Sequence, residues 1–169
     1  FWVHVEHLLL DRSGKMSKSL GNVFTVKDVL DQGHRASALR YVLMSTHYRK
    51  QLRFTWKSLA QAEEALTRLM DCLGRVEAVQ EDSVSETLFR GRIEAAREKF
   101  SKLLLDDVNT PGALGVVFEF VRDVNSAIDV RSMSSRDAGE VLATFDWFDQ
   151  VLGVIKLRRV EEGSPALPV

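Results

Sequence analysis

Apolar residues recur at helical spacing along the second two thirds of the chain. After Thr55, a suitable helix N-cap, apolar side chains return at alternating steps of three and four residues, as they do along one stripe of an amphipathic helix. That stripe comprises Leu59, Ala62, Leu66, Leu69, Leu73 and Val76. A less regular stripe predicts a helix over about residues 84–105, and stripes like the first predict helices over about residues 110–128 and 135–152. Because such helices bury their stripes most readily against one another, the sequence predicts an antiparallel helical bundle.

Capping residues separate the last helices of this pattern. Thr110 is predicted to cap one helix with Pro111 at its first helical position, where the missing N–H of proline costs nothing. Ser134 and Ser135 open the next helix, and Gly153 ends it. The residues predicted to face the core from these two helices are Leu114, Val117, Val121, Val124, Ile128, Ala138, Val141, Phe145, Phe148 and Leu152.

The first fifty or so residues predict a short mixed α/β piece. Val3 to Leu10 reads as a strand, and it leads through a polar turn into a loop over residues 15–22. Thr25 is a plausible N-cap for a helix from Val26 to Asp31, and a second helix is predicted from Ala36 to Thr46 with Leu39, Val42 and Leu43 on one face.

The predicted fold class is therefore mainly α. At 169 residues and 45% hydrophobic, the chain can form one ordinary domain or two small ones. We expect the mixed α/β piece to cover residues 1–54, a helical bundle to cover residues 55–157, and a linker or tail to cover residues 158–169. The chain opens on an apolar segment without an initiator Met, so both ends are expected to have been cut from a larger protein.

Cysteine usage and hydropathy exclude several classes of protein. The lone Cys72 rules out an intrachain disulfide framework and offers no Cys/His metal-ligand spacing, so no metal site is predicted in this chain. Cys72 falls on the apolar side of its helix and is expected to act as a small buried hydrophobe. No run reaches the 18 or so apolar residues of a membrane span. A cytoplasmic location without membrane contact is expected.

The first loop combines residues that suit phosphate chemistry. It contains Lys15, Met16, Ser17, Lys18 and Ser19. Two ammonium groups three residues apart, flanked by hydroxyls, can fold over a polyphosphate. When ATP transfers its nucleotidyl group, negative charge grows on the departing pyrophosphate, and lysines that reach it only in the transition state lower the barrier. By itself a Lys-x-x-Lys loop is usually only a solvated loop, so the spacing alone does not decide the function.

The five residues are identical to the KMSKS signature of class I aminoacyl-tRNA synthetases, and their surroundings resemble cysteinyl-tRNA synthetases in particular. The resemblance covers W-V-H-V-E-H-L-L-L-D-R-S-G before the signature and L-G-N-V-F-T-V-K-D-V-L after it, then A-L-R-Y-V-L-M-S-T-H-Y-R and D-D-V-N-T-P-G-A-L. It runs from Trp2 to about Leu157. Ala38-Leu39-Arg40 matches part of the motif that names the DALR-type helical domain, although Ser37 stands where that motif has Asp.

The resemblance implies a function that this sequence carries only in part. It implies ATP-dependent attachment of cysteine to tRNA(Cys) by a monomeric enzyme, with Mg²⁺ accompanying ATP and Zn²⁺ held by residues upstream in the parent enzyme. By the same resemblance, residues 1–54 are the end of a catalytic domain, with Lys15 and Lys18 as the catalytic residues and residues 15–19 binding ATP. The resemblance also implies that the DALR-type helical domain over residues 55–157 contacts tRNA. Neither the zinc ligands nor the HIGH-type signature is in this sequence. We therefore expect the 169 residues to be inactive alone.

A basic segment supplies candidate tRNA contacts. The chain has a formal net charge of −1, yet no acidic residue falls between Gln32 and Ala62. Scattered basic residues usually form a solvated face, whereas a tRNA surface would use them on phosphates with His47, Tyr48 and Trp56 free to stack on bases. The candidates for tRNA contact are Arg35, Arg40, Arg49, Lys50 and Arg53.

Two other functions stay open at this level. A cysteine ligase of mycothiol biosynthesis also uses a KMSKS-type loop but joins cysteine to an amino sugar. A helical RNA-binding module without catalysis would keep the lysine loop as a relic. The D-D-V-N-T-P and S-T-H-Y-R segments fit the tRNA enzyme better.

Overall fold

The computed structural model describes residues 2–10, 14–15, 25–80 and 88–163, and this part of the chain is mainly α-helical, as the sequence predicts. The helices are α1 (Val26–Asp31), α2 (Ala36–Met44), α3 (Trp56–Glu77), α4 (Leu88–Leu105), α5 (Thr110–Asp129), α6 (Ser135–Leu152) and α7 (Ile155–Gly163). The strands are β1 (Leu9–Leu10), β2 (Gly14–Lys15) and β3 (Arg53–Phe54). The chain divides into two compact units, one comprising residues 1–66 and 154–169 and the other residues 67–153.

The first unit contains one small sheet with the strand order β2-β1-β3. Strand β1 pairs antiparallel with β2 and parallel with β3. The predicted strand from Val3 was wrong for residues 3–8, because only Leu9 and Leu10 align with partners on both sides. Ahead of them, Glu6 N–H donates to the Tyr48 carbonyl at 2.9 Å, so the incoming segment runs beside residues 48–54 without forming a longer ladder.

Helix α1 begins as predicted. The Thr25 hydroxyl accepts from Asp28 N–H at 3.2 Å while Asp28 accepts from Thr25 N–H at 2.6 Å, so both ends of a capping box are present. Gly33 follows the helix at φ 82°, a left-handed conformation that glycine adopts without strain. Helix α2 ends at Met44, two residues earlier than predicted, and its Leu43 is half exposed instead of facing the core with Val42.

The core of the second unit is built on aromatic side chains from α4, α5 and α6. The rings of Phe100 and Phe148 lie 4.6 Å apart, and those of Phe120 and Phe145 lie 5.2 Å apart. Such ring pairs add roughly 0.5–1.5 kcal/mol beyond the area they bury. Every residue of the predicted α3 stripe is buried. The predicted inward residues of α5 and α6 are also buried, apart from the half-buried Ile128. The antiparallel arrangement of these helices stays a prediction.

The ends of α5 and α6 show how the loops are fixed. The N-cap of α5 is Asn109 and not Thr110, because the Asn109 carboxamide oxygen accepts from Gly112 N–H at 3.0 Å. Ser134 caps α6 through a capping box with Asp137, and Gly153 ends that helix at φ 61°. Both of these last two boundaries agree with the sequence prediction.

Helix α7 differs from the expected linker or tail over residues 158–169. The structure has a helix from Ile155 to Gly163, and within it Arg158 is almost fully buried. The physical reason is that the Arg158 guanidinium has carboxylate partners in the first unit, which offset the cost of removing it from water. Residues 164–169 lie outside the described residues.

Candidate functional site

The predicted phosphate loop starts from the small sheet of the first unit. Lys15 lies in β2 opposite Leu9 of the central strand, and Leu9 lies opposite Arg53 of β3. Because neighbouring strands are roughly 4.8 Å apart, Lys15 and Arg53 share one row of the sheet about 10 Å from each other. The predicted ATP contacts Met16, Ser17, Lys18 and Ser19 lie outside the described residues. The sheet therefore brings the start of the lysine loop and one predicted tRNA contact to the same row.

The segment around β3 carries three of the five predicted tRNA contacts. Arg49, Lys50 and Arg53 are all exposed. The segment is held against the first strand by Glu6 N–H donating to the Tyr48 carbonyl and by Leu9 N–H donating to the Leu52 carbonyl at 2.8 Å. These bonds fix the backbone that presents the three basic side chains.

The aromatic residues near this segment are already engaged in ring contacts. The His47 ring stacks on Tyr48 with ring centres 4.8 Å apart, and the Arg49 guanidinium lies 5.2 Å from the Tyr48 ring centre. Trp56 stacks on His34 at 5.8 Å. Stacking on bases by these side chains would therefore use the faces and edges that the protein contacts leave exposed.

The other two predicted tRNA contacts have different surroundings. Arg40 is exposed on α2. Arg35 precedes α2, and its guanidinium lies 3.6 Å from the Glu63 carboxylate while its backbone N–H donates to Glu63 at 2.9 Å. A phosphate at Arg35 would have to compete with this internal carboxylate. The charge of Arg35 is thus partly neutralised within the protein.

Glu63 is the centre of an ion network in the first unit. Its carboxylate also accepts a hydrogen bond from the Arg158 guanidinium, which bonds Glu162 at 2.7 Å as well. The Arg158 side chain is 2% exposed. Burial opposes ionisation of Glu63, but hydrogen bonds from Arg35 and Arg158 and their positive charges outweigh it and lower the pKa of Glu63. Burial likewise opposes the charge on Arg158, and the two carboxylates raise its pKa.

The same network caps helix α2 from outside. The residue at its N-cap, Arg35, makes no side-chain cap of its own. Two carboxylates replace that cap, since Glu63 accepts from Arg35 N–H and Glu161 of α7 accepts from Ser37 N–H at 3.1 Å. Negative charge at a helix N-terminus is favourable because the unpaired N–H groups there carry partial positive charge. Helix α7 therefore helps to fix the helix that carries Arg40.

Sequence reasoning missed Glu63, Arg158 and Glu161. Each is an ordinary charged residue in the sequence, and only the i, i+4 spacing of Arg158 and Glu162 hints at a pair. Glu63 is the first acid after the acid-free segment, which in retrospect is where a partner for its arginines would be sought.

Three further observations bear on chemistry. Cys72 is buried, as predicted, and its burial raises the pKa of the thiol to about 11, so the reactive thiolate is suppressed at neutral pH. Among the described residues, no three His, Cys, Asp or Glu side chains are grouped so that they could hold a metal ion. Within the same ranges, no helix has the length and apolar character needed to cross a membrane.

Comparison with known proteins identifies both parts of the chain. Residues 1–64 match the family model of the class I tRNA synthetase (C) catalytic domain, and residues 99–156 match that of the DALR domain. These matches confirm the resemblance predicted from the sequence.

Relatives of known identity match nearly the whole chain. It is 37% identical over 167 residues to the cysteine–tRNA ligase of Protochlamydia amoebophila, which covers 97% of this chain and 34% of that protein. It is 41% identical over 157 residues to the cysteine–tRNA ligase of Chlamydia caviae, with 92% of this chain and 33% of that protein covered. For the cysteine–tRNA ligase of Leptospira interrogans the identity is 37% over 157 residues, with 91% and 33% covered. The chain thus spans about a third of the length of the curated relatives that it matches.

Proposed function

We propose that this chain, which joins a segment of the class I tRNA synthetase catalytic-domain family to a segment of the DALR-domain family, is part of a cysteine–tRNA ligase. The observation that carries the proposal is the match to cysteine–tRNA ligases along 97% of the chain, across both segments. The same relatives favour this activity over the cysteine–amino sugar ligase and over a non-catalytic RNA-binding module. The division into a catalytic-domain end over residues 1–54 and a helical domain over residues 55–157 belongs to this proposal.

The proposed reaction has two steps. A carboxylate oxygen of cysteine attacks the α-phosphorus of ATP, and the bond to the β-phosphate breaks so that pyrophosphate leaves. A hydroxyl of the tRNA terminal ribose then attacks the activated carbonyl, and AMP leaves. Cysteine, ATP and tRNA(Cys) are thus the proposed substrates, with Mg²⁺ accompanying the nucleotide. The Zn²⁺ expected for the whole enzyme is assigned to no residue of this chain, since the described residues offer no grouped ligands.

Lys15 and Lys18 are the proposed catalytic residues of the first step. Negative charge accumulates on the pyrophosphate as its bond to the α-phosphorus breaks, and ammonium groups placed there stabilise the transition state more than the ground state. Met16, Ser17 and Ser19 complete the proposed ATP-binding loop. The placement of Lys15 at the end of β2, hydrogen-bonded to the central strand, supports this role because it anchors one end of the loop.

The tRNA is proposed to contact the exposed basic segment beside this loop. Arg49, Lys50 and Arg53 are exposed on a backbone tied to β1, and Arg53 shares a sheet row with Lys15. A phosphate backbone held there would lie within about 10 Å of the start of the ATP loop. Arg40 and Arg35 are further candidates, and a phosphate at Arg35 would have to compete with Glu63, which already pairs with it. We propose that the enzyme acts as a monomer in the cytoplasm.

The catalytic part of the proposal is tested in the complete gene product. Cysteine-dependent exchange of pyrophosphate into ATP should fall about a hundredfold in Lys18→Ala, because one lost contact to the transition state costs about 3 kcal/mol. Lys27→Ala removes an exposed lysine of α1 and serves as the matched control. Exchange that needs no cysteine, or that Lys18→Ala leaves unchanged, would refute the assignment.

The tRNA part is tested with the 169-residue polypeptide. Affinity for tRNA(Cys) and for an unrelated tRNA is measured across a salt series, with and without Arg49→Gln, Lys50→Gln and Arg53→Gln together. We expect binding that weakens as salt rises, with a slope that the triple variant reduces by two to three, since each phosphate contact contributes about one. Equal binding by the variant and the parent would remove this segment from the tRNA interface.

A further inference from the structure

Two carboxylates from other elements hold the start of helix α2. Glu63 of α3 accepts from the Arg35 N–H, and Glu161 of α7 accepts from the Ser37 N–H at 3.1 Å, across 124 positions of sequence. Glu63 also takes part in the ion network around Arg158, so several charges fix its place. Within the described ranges Glu161 forms no ion pair, and its carboxylate bonds Ser37. The role of Glu161 is therefore to be sought at the start of α2.

The contact between Ser37 and Glu161 is poorly adapted to stability alone. Ser37 is fully buried, and in the described part of the chain neither its hydroxyl oxygen nor the Glu161 Oε2 atom has a hydrogen-bond partner. Buried polar atoms without partners destabilise a fold because they have lost their contacts with water. Departures from local rules of this kind occur mainly at functional positions, so the contact is a candidate for a role beyond folding.

The start of α2 is connected to the proposed ATP loop through α1. Thr25, the N-cap of α1, follows that loop in the sequence. Beyond the helix, the Gly33 N–H donates to the Leu30 carbonyl at 2.9 Å, and the His34 N–H donates to the Val29 carbonyl at 3.3 Å. These bonds join the end of α1 to the turn that enters α2. A shift at the start of α2 would therefore move the helix into which the loop leads.

The proposed chemistry tolerates little such movement. Lys15 and Lys18 are proposed to stabilise charge on the departing pyrophosphate, and misplacing a reacting group by about 1 Å can slow a reaction on the order of a hundredfold. Strand β2 fixes the beginning of the loop in the sheet, whereas the other end leads into α1. Groups that fix α1 therefore help to set where the loop ends.

We propose that Glu161 is a positioning residue for the ATP loop. From α7 its carboxylate holds the start of α2, and with it α1, in the placement that the transition state of the first step requires. Glu161 acts through these helices and touches neither ATP nor cysteine. The inference rests on the proposed function, because that function assigns ATP chemistry to the loop.

The test uses variants of the complete gene product. Glu161→Met keeps the length of the side chain and removes both acceptor oxygens. Glu161→Gln keeps an oxygen for the Ser37 N–H, and its amide N–H can donate to the Ser37 hydroxyl oxygen. Glu162→Met is the matched control, since it removes the same charge and one hydrogen bond from α7, but that bond goes to Arg158 and not to α2. Cysteine-dependent exchange of pyrophosphate into ATP is measured well below the melting midpoint of each variant.

We expect Glu161→Met to lower kcat for exchange about tenfold or more and to leave the KM for ATP within about twofold, because the loop acts mainly on the transition state. Glu161→Gln should keep nearly the parental kcat, although it lacks the charge. Glu162→Met should lower the melting midpoint and leave kcat unchanged. A Glu161→Met protein with a lowered midpoint but the parental kcat would overturn the proposal, because Glu161 would then only stabilise the fold.

Two further comparisons test the role of the acceptor oxygen. Equal losses of kcat in Glu161→Met and Glu161→Gln would overturn the proposal, because the oxygen that holds the Ser37 N–H would then not matter. If Glu161→Met does not fold, Glu161→Asp gives the same test. It keeps the charge, but its carboxylate is one methylene short of the Ser37 N–H, so kcat should again fall while the KM for ATP stays. The parental kcat in Glu161→Asp would also overturn the proposal.

A double variant separates failure of this inference from failure of the proposed function. If Glu161 acts through the ATP loop, Lys18→Ala combined with Glu161→Met should lose less than the product of the two single losses. A loss equal to that product would overturn the inference, since Glu161 would then act elsewhere. Unchanged exchange in Lys18→Ala refutes the proposed function itself. A loss of about a hundredfold in Lys18→Ala with the parental kcat in Glu161→Met refutes the positioning role alone.

Discussion

Replacing Arg158 with methionine removes the buried cation of the first unit while keeping most of its apolar volume. The change removes Arg158 from Glu63, which keeps Arg35 at 3.6 Å, and leaves Glu162 without its 2.7 Å hydrogen bond. Breaking a buried pair by removing one partner typically costs 3–5 kcal/mol. Because Arg35 still serves Glu63 and the Glu162 side chain is 37% exposed, we expect the low end, about 3 kcal/mol.

The loss should be visible in thermal unfolding followed by circular dichroism. For a chain of this size, each kcal/mol shifts the melting midpoint by roughly 2–4 °C, so Arg158→Met should melt about 6–12 °C lower. Arg159→Met, at the exposed neighbouring position, is the control and should shift the midpoint by no more than about 2 °C.

A double-mutant cycle then identifies the cause. Adding Glu63→Gln removes the stranded charge but keeps an oxygen that can accept from Arg35 N–H. The double variant should therefore recover part of the loss, with a coupling energy of at least about 1 kcal/mol. A coupling near zero, or an Arg158→Met midpoint equal to that of Arg159→Met, would show that the ion network does not hold α3 and α7 together.

Three further predictions follow from described groups. Hydrogen bonds and positive charges hold the pKa of Glu63 below its ordinary value of 4.5. The stability that ionised Glu63 contributes is therefore present above that value and is lost as pH falls through the lowered pKa. The difference in melting midpoint between the parent and Arg158→Met should accordingly shrink below about pH 4.5. Gly153→Ala should lower the free energy of unfolding in urea titrations by about 1 kcal/mol, because Gly153 has φ 61°. Gly139→Ala, at an exposed position within α6, should raise it by a similar amount, because alanine favours the helix. Changes of the same sign in both variants would contradict the backbone argument. Cys72, with its pKa raised to about 11, should stay unreactive to a thiol reagent at pH 8 until urea unfolds the chain, and rapid native labelling would disprove its burial.

The apolar pattern predicted the long helices because their burial is one-sided. The α3 stripe from Leu59 to Val76 is buried as predicted, since steps of three and four place all its members on one face. Short elements were harder to predict. Val3 to Leu8 has strand composition, but no strand within the described part of the chain pairs with it, and Leu43 lies where α2 meets solvent. Pairing partners distant in sequence decide such positions, and local pattern does not contain them.

Charged residues explain why α7 was missed. A segment with Lys156, Arg158, Arg159, Glu161 and Glu162 reads as a solvated tail because such side chains are rarely buried. Arg158 can be buried because carboxylates pair with it, and one of them, Glu63, lies in a distant part of the sequence. The candidate site was easier to predict in one part and harder in another. The lysine loop was recognised from five residues, and the contacts around Arg35 could be found only from the fold.

The sequence separation between Glu63 and Arg158 also determines the order in which parts of the first unit can form during synthesis. Their bond joins residues that are 95 positions apart, and all of the second unit is encoded between them. At a synthesis rate of roughly 5–20 residues per second, about 5–20 s pass between the appearance of the carboxylate and that of its cation. Throughout that interval α2 lacks the Glu161 cap, and Glu63 has Arg35 but not Arg158 as a partner. The first unit begins before the second is made, and it can be completed only after the second unit has left the ribosome's active centre.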